Sequence, residues 1–273
     1  MGVRRPSPTL LKLGGALLTD KRGDEAVRSD VLARLAAEIA RWPGAADGRL
    51  VIAHGSGSFA HRAAARSGFL DDPANPAAFA AVAASAARLH RRVVDALIAA
   101  GLPAVGVPGG ALATLDGGVV VEVRADLVAR MLAAGLLPVT YGDAALDRSR
   151  GGGIASTEPL LVALADGLGA THLVFATDVD GVYDRDPAAH PDARPFARLS
   201  AGDVDALELG GAGPEAVDVT GGMRSKVGAA LALVGRRPDV TVRILSGGRK
   251  GAVAAALADD PGAGGTLVVA VGA

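Results

Sequence analysis

Leu50-Val51-Ile52-Ala53-His54-Gly55-Ser56-Gly57-Ser58-Phe59-Ala60-His61 is the stretch around which the chain is organised. Its apolar start reads as a buried strand. The Gly/Ser run that follows breaks the strand and leads into a helix-like segment. A junction of that kind aims several backbone N–H groups at one point, where an anion can sit. His61 lies just beyond the turn, placed for a ring nitrogen to donate to an oxygen held there. Taken alone, the loop is equally well an ordinary strand-to-helix turn with a solvated histidine. Its meaning depends on what the other segments bring to it.

The same alternation extends in both directions. Thr9 to Leu13 forms a strand that breaks at Gly14-Gly15, with Lys21 shortly after. A helix capped by Ser29 or Asp30 runs to about Trp42, with Val31, Leu32, Leu35 and Ile39 on one face. Asn75-Pro76 opens a long helix ending near Ala100, with proline at an early helical position. Pro103 to Val107 is a strand, and Leu115 to Val119 a hairpin with Asp116-Gly117 as its turn signal. A helix from Arg124 to Ala134 stops at Gly135, and Leu136 to Tyr141 is a strand running into Gly142-Asp143. Arg148 to Gly153 is a mobile loop or small hairpin. Ser156 caps the next helix, with Pro159 in its first turn. Thr171 to Ala176, Val240 to Leu245 and Gly265 to Val269 are further strands, and a helix follows Ser246-Gly247-Gly248. Strands alternating with helices imply an α/β fold with a mostly parallel sheet covered on both faces. No repeat or linker interrupts the chain, so 1–273 reads as a single domain, softly divided near residue 150.

Composition narrows the function. The 273 residues carry a net charge of −1 with both signs spread along the chain, which excludes a nucleic-acid footprint or a basic membrane patch. No cysteine is present, which removes thiolate nucleophiles, disulfides and Cys-based zinc sites and fits a reducing cytoplasm. No apolar run approaches the ~18 residues of a membrane span. Lys12 interrupts the first apolar run, so no signal peptide is expected. Aromatics make up 3% of the chain, so the core must be built from Ala, Val and Leu.

Of 28 basic residues only four are lysine: Lys12, Lys21, Lys226 and Lys250. In so Arg-biased a chain, lysine marks places where a compact, mobile ammonium is wanted. Lys250 reads as a solvated helix residue. Thr177-Asp178-Val179-Asp180-Gly181-Val182-Tyr183 closes a strand with two carboxylates and a tyrosine suited to a nucleotide; an acidic turn is the plain alternative. Asp218-Val219-Thr220-Gly221-Gly222-Met223-Arg224-Ser225-Lys226 reads as a turn into a helix whose N–H groups and Lys226 suit phosphate. His90 reads as a solvated or interface residue of the long helix, His172 as surface and His190 as loop. Lysines, glycine loops at strand ends, one histidine and paired carboxylates suit phosphoryl transfer between two anions, which needs positioning and positive charge more than covalent chemistry. Repulsion between two such substrates at ~4 Å amounts to several kcal/mol in a protein site, which lysines between them offset.

Lys12-Leu13-Gly14-Gly15, the His54 to His61 loop, Gly142-Asp143, Thr177 to Tyr183, Asp218 to Lys226 and Gly265-Thr266 occur in the order seen in the amino acid kinase superfamily, which the chain resembles over nearly its whole length. Within it the chain looks most like the isopentenyl phosphate kinase group, with the fosfomycin-kinase type as a near relative; His61 is the residue that both groups share. The resemblance implies an αβα sandwich around about eight strands, usually dimeric, with 1–150 mainly the acceptor lobe and 151–273 mainly the ATP lobe. It implies ATP with Mg²⁺ and a small phosphate acceptor. Lys12, Gly14, Gly15 and Ala16 would lie at the ATP phosphates, with Ser56 on the ATP side. Lys21 would stabilise the transferring phosphoryl. Gly55, Ala60 and His61, with Ser156 and Thr157, would hold the acceptor. Asp178 and Tyr183 would place the nucleotide, and Gly222 and Lys226 would grip its phosphates. An apolar tail pocket would draw on Phe79, Ala83 and Ala87.

The chain departs from the family pattern in three places. Ala16 replaces a usual Ser, Ser56 and Ala60 replace Gly, and Ser156-Thr157-Glu158 stands for Ser-Gly-Asp. The last leaves the acceptor open between isopentenyl phosphate and another small phosphate or phosphonate such as fosfomycin. A non-catalytic nucleotide-binding protein of the same fold is the third alternative.

Overall fold

The computed structural model describes residues 7–20, 23, 25–187, 189–206 and 222–272, with the backbone alone at 204–206. In chain order its elements are β1 (Thr9–Leu13), α1 (Gly15–Leu18), α2 (Ser29–Ala40), β2 (Leu50–His54), α3 (Gly57–Ser67), α4 (Pro76–Ala99), β3 (Ala104–Gly106), α5 (Gly109–Leu112), β4 (Ala113–Asp116), β5 (Val119–Val123) and α6 (Ala125–Ala133). The second half adds β6 (Leu137–Tyr141), β7 (Asp143–Asp147), β8 (Gly151–Ala155), α7 (Thr157–Leu168), β9 (His172–Thr177), β10 (Arg198–Leu199), α8 (Gly222–Arg236), β11 (Thr241–Ser246), α9 (Ala252–Leu257) and β12 (Thr266–Val268).

Eight strands form one sheet in the order β10-β12-β11-β9-β1-β2-β6-β3. All its pairings are parallel except β11 with β12. The central strands are mostly apolar because helices cover both faces. Alternation sorts their side chains between two layers. Leu10, Val51, Ala53, Leu173 and Phe175 pack with Leu160, Leu161, Val227 and Leu233 of α7 and α8. Leu11, Leu13, Leu50, Ile52, Val174 and Ala176 pack with Leu35, Ile39, Leu89, Val93 and Val253 of α2, α4 and α9. The result is the expected αβα sandwich.

A second sheet, β5-β4-β7-β8, joins the hairpin expected at Leu115 to Val119 with the one that Arg148 to Gly153 offered as an alternative; that the two form one sheet was not expected. Arg148 to Gly153 resolves as the turn and start of the β7–β8 hairpin rather than a loose loop. The β4–β5 hairpin turns on Gly117 (φ 59°) and Gly118 (φ 87°), both in the left-handed region that a two-residue turn of this hand demands. Asp147 ties the small sheet together, accepting from the N–H groups of Gly117, Gly118, Ser149 and Arg150. Burial works to raise its carboxyl, but these donors bring it down to about 2.

Several local expectations change. Neither Ser29 nor Asp30 caps α2; Arg28 holds the cap position and no side chain bonds there. Asn75 does cap α4, accepting from the N–H groups of Ala77 and Ala78. Ser156 occupies the cap position of α7 without a side-chain cap bond. His172 is half-buried, its ring bonded to the Thr241 hydroxyl and the Ala256 carbonyl, rather than a surface residue. His90 is buried, not solvated: it lies between α4 and the sheet, stacked on His54 and Tyr141. Its place in the apolar stripe with Val82, Ala86 and Val94 was the available signal, which the adjacent Arg91 and Arg92 obscured. Lys250 is exposed, as expected, but lies in the turn before α9 rather than within a helix.

Candidate functional site

The parallel strands end side by side. Leu13 lies beside His54 and Ala176, His54 beside Tyr141, and Thr177 beside Ser246. The chain therefore leaves the same edge of the sheet at Gly14, Gly55, Gly142, Asp178 and Gly247. The carboxyl ends of parallel strands are where open α/β sheets bind ligands.

Two of these exits touch backbone to backbone. A Cβ on Gly15 would stand 2.4 Å from the Gly57 nitrogen, and one on Gly55 would stand 2.7 Å from the Gly15 nitrogen. Glycine is required at both because no side chain fits between the loops. Thr19 stitches them together: its hydroxyl donates to the Gly15 carbonyl (2.9 Å) and accepts from the Ser58 N–H (3.1 Å). The Ser56 hydroxyl does not cap α3. It donates instead to the Gly142 carbonyl, and the Thr157 hydroxyl donates to the His54 carbonyl at 3.2 Å. The N-termini of α3 and α7 are thereby fastened to the same edge, with their N–H ends close together.

Charge enters through Lys12. Alternation puts it on the same face of β1 as Leu10, towards α7, where it forms a buried ion pair with Glu158 in the first turn of that helix. The Lys226 ammonium lies 4.0 Å from the same carboxylate and donates to the Gly222 carbonyl at 3.1 Å. Lys12 and Glu158 are each 4% exposed. Burial works to raise the Glu158 carboxyl, but the Lys12 and Lys226 ammoniums outweigh it and leave it below the ordinary glutamate value. Burial lowers Lys12; Glu158 opposes that effect and Lys226 adds to it. Two cations on one carboxylate leave a net positive charge behind the glycine loops. Such a charge attracts phosphate.

The structure thus brings Lys12, Gly14, Gly15, Gly55, Ser56, Thr157 and Lys226 into one connected site. Ala16 lies in α1 directly after Gly15. His61 is half-buried on α3, and its neighbour Ala60 is buried against an apolar cluster. Asp178 is exposed at the end of β9 and accepts from the Thr177 hydroxyl (3.0 Å). Tyr183 donates to Asp180 (2.9 Å). Gly222 opens α8 with φ 48°. Lys21 and Asp218 to Gly221 lie outside the described residues.

The apolar cluster contains Ala60 and Ala64 of α3, Phe69 of the turn after it, the α4 residues Ala78, Val82 and Ala86, and Tyr141 and Ala144 at the strand edge. Phe79, Ala83 and Ile154 pack around it, and Phe69 meets Phe79 edge-on at 5.9 Å. Of the three residues expected at an apolar tail pocket, Phe79 and Ala83 pack against this cluster, whereas Ala87 is exposed and does not.

Sequence reasoning missed three features. Glu158 was visible only as a departure from a pattern; an acid in the first turn after a glycine-rich strand exit was the available signal. Asp143 is buried and accepts from the N–H groups of Gly110 (3.3 Å) and Ala144 (2.9 Å) and from the Tyr141 hydroxyl. Burial pushes its carboxyl up to about 6 against these donors. The His54–His90 contact joins residues 36 apart that share no motif.

The chain resembles known proteins in sequence and in fold. The chain is 34% identical over 235 residues to the isopentenyl phosphate kinase of Methanothermobacter thermautotrophicus, covering 82% of this chain and 86% of that one. It is 37% identical over 231 residues to that of Haloferax volcanii, covering 83% and 88%. Among solved structures, isopentenyl phosphate kinase X-ray structures superpose with a TM-score of 0.80 at 30% identity, covering 96% of this chain and 99% of the other. The family model for the amino acid kinase family matches residues 7–246, most of the chain, including the strand exits at Gly14, Gly55, Gly142 and Asp178. By sequence and by fold, the chain belongs to the amino acid kinase family.

Proposed function

We propose that this protein is an ATP-dependent kinase that converts isopentenyl phosphate to isopentenyl diphosphate. The observation that carries this reading is the joining of two lysines on buried Glu158 with glycine loops that open beside an apolar cluster. The loops and lysines suit the two phosphates, and the cluster suits a short hydrocarbon tail. Burying five carbons contributes roughly 3–4 kcal/mol beyond what a phosphate alone supplies. A fosfomycin-like acceptor would favour a more polar wall than Ala, Val and Phe provide.

In this reading Gly55 and His61 hold the acceptor phosphate, flanked by Ala60, Ser156 and Thr157. Lys12, Gly14, Gly15, Ala16, Ser56, Gly222 and Lys226 attend the ATP phosphates, and Asp178 and Tyr183 the nucleoside. Lys21 meets charge as it develops on the transferring group. The chain's contribution is alignment and electrostatic stabilisation. Mg²⁺ would accompany ATP, held mainly by its phosphates and by water rather than by an all-protein cage. Residues 1–150 serve mainly the acceptor and 151–273 mainly ATP, in a cytoplasmic homodimer.

An ADP-release assay with isopentenyl phosphate, dimethylallyl phosphate and fosfomycin tests the proposal. Isopentenyl phosphate should have the highest kcat/KM. Turnover of fosfomycin alone would transfer the site to the phosphonate reading, and tight ATP binding without turnover of any acceptor would favour a regulatory protein.

A further inference from the structure

The His54 ring is fully buried at the end of β2, with its Nδ1 3.1 Å from the Gly55 carbonyl oxygen and its Nε2 3.0 Å from Nδ1 of His90. These contacts determine where the protons lie. A carbonyl oxygen can only accept, so His54 Nδ1 carries hydrogen. A neutral ring then has a lone pair at Nε2, so His90 must donate from its own Nδ1. That leaves His90 Nε2 unprotonated. It is buried without a hydrogen-bond partner and faces Gly106, where a Cβ would stand 2.3 Å away. Burial keeps both rings uncharged, His54 lowered to about 4 and His90 to about 3. Tyr141 stacks on both, with centroids 5.6 Å and 4.2 Å away, and its hydroxyl is held by Asp143.

The orientation of one peptide follows. In a trans peptide the carbonyl and the next N–H point in opposite directions. With the Gly55 oxygen drawn to the imidazole, the Ser56 N–H is presented on the side of the loop away from the histidines. None of the hydrogen bonds among the described residues uses that N–H. We propose that His90 and His54 are positioning residues: His90 fixes the His54 tautomer, His54 fixes the Gly55–Ser56 peptide, and the peptide presents the Ser56 N–H to a substrate phosphate. Neither ring touches substrate. The last link rests on the kinase reading; the tautomer assignment does not.

Two measurements test it. Long-range ¹H–¹⁵N correlation NMR on the full-length protein at pH 7 should show both rings neutral and protonated at Nδ1. A proton on Nε2 of either ring overturns the relay whatever the enzyme's substrate. Steady-state kinetics with isopentenyl phosphate then tests its use. His90→Asn and His54→Asn, whose amides can donate near the Nδ1 position, should keep kcat/KM within about threefold of wild type. His90→Leu and His54→Leu should lose about tenfold or more, on the scale of catalytic misplacement. His90→Gln, polar but unable to donate at the Nδ1 position, should follow Leu rather than Asn, which keeps the test decisive if the leucine variants fail to fold. Equal activity in all five variants overturns the positioning role. A wild-type enzyme inactive on isopentenyl phosphate, with the tautomers as assigned, would sink the kinase reading and leave the relay standing.

Discussion

Lys226 lies 4.0 Å from the same Glu158 carboxylate that pairs with Lys12, so one buried acid aligns two cations from opposite ends of the chain. Lys12 comes from the first strand, Lys226 from α8, and they meet on the first turn of α7.

Replacing Glu158 with Gln should therefore affect more than one contact. It strands the buried Lys12 ammonium, which typically costs roughly 3–5 kcal/mol, and leaves the part-buried Lys226 its bond to the Gly222 carbonyl. Lys12, already lowered by burial, should fall further without its counter-charge. The variant should be less stable in urea, and its activity should decline at a lower alkaline pH than wild type. An unchanged alkaline limb in the kcat profile would mean that the pair does not govern the charge of Lys12.

Gly15 and Gly228 make opposite predictions from the same substitution. Alanine at Gly15 meets the Gly57 nitrogen at 2.4 Å, whereas alanine at Gly228, inside α8, meets nothing within 4 Å. Gly15→Ala should lose roughly 1–3 kcal/mol by overpacking and most of the activity. Gly228→Ala should gain up to about 1 kcal/mol through helix propensity. Denaturation curves of the two variants check both signs.

The buried histidines should show in stability against pH. Their folded values, about 4 and about 3, lie below the unfolded value near 6.5, so the fold prefers them neutral. Their contribution is fully present above pH 6.5 and is lost as pH falls towards 4. Asp143, raised to about 6, works in the other direction, stabilising at low pH and losing that contribution as pH rises through 6. Comparison of wild type with the His54→Asn/His90→Asn double variant cancels Asp143. Wild-type stability relative to the variant should rise from about pH 4 to 6.5 and then level off. A difference that stays flat across that window would mean that the rings are not held neutral by the fold.

His61→Ala and Lys21→Ala should separate binding from chemistry. Loss of a charge-assisted bond to the acceptor should lower its kcat/KM by about 10–100-fold, with the KM for ATP little changed. Lys21→Ala should lower kcat with little effect on either KM, since its partner charge develops only in transit. If Lys21→Ala changed ATP affinity alone, the residue would belong to ground-state binding.

The amino-acid sequence by itself determined the alternation of strands and helices, the glycine breaks at Gly14-Gly15 and Gly55 to Gly57, and the scarcity that singled out Lys12 and Lys226. These are local properties: periodicity, turn chemistry and residue type act within a few positions. Only the tertiary structure decided that Glu158 joins the two lysines, that His90 reaches His54 across 36 residues, and that Phe79 and Ala83, but not Ala87, border the apolar cluster. Periodicity marks which helix face turns inward, but which distant side chains and strand exits come within hydrogen-bond reach is settled by packing between segments far apart in the chain, and a single sequence carries no local mark of that contact.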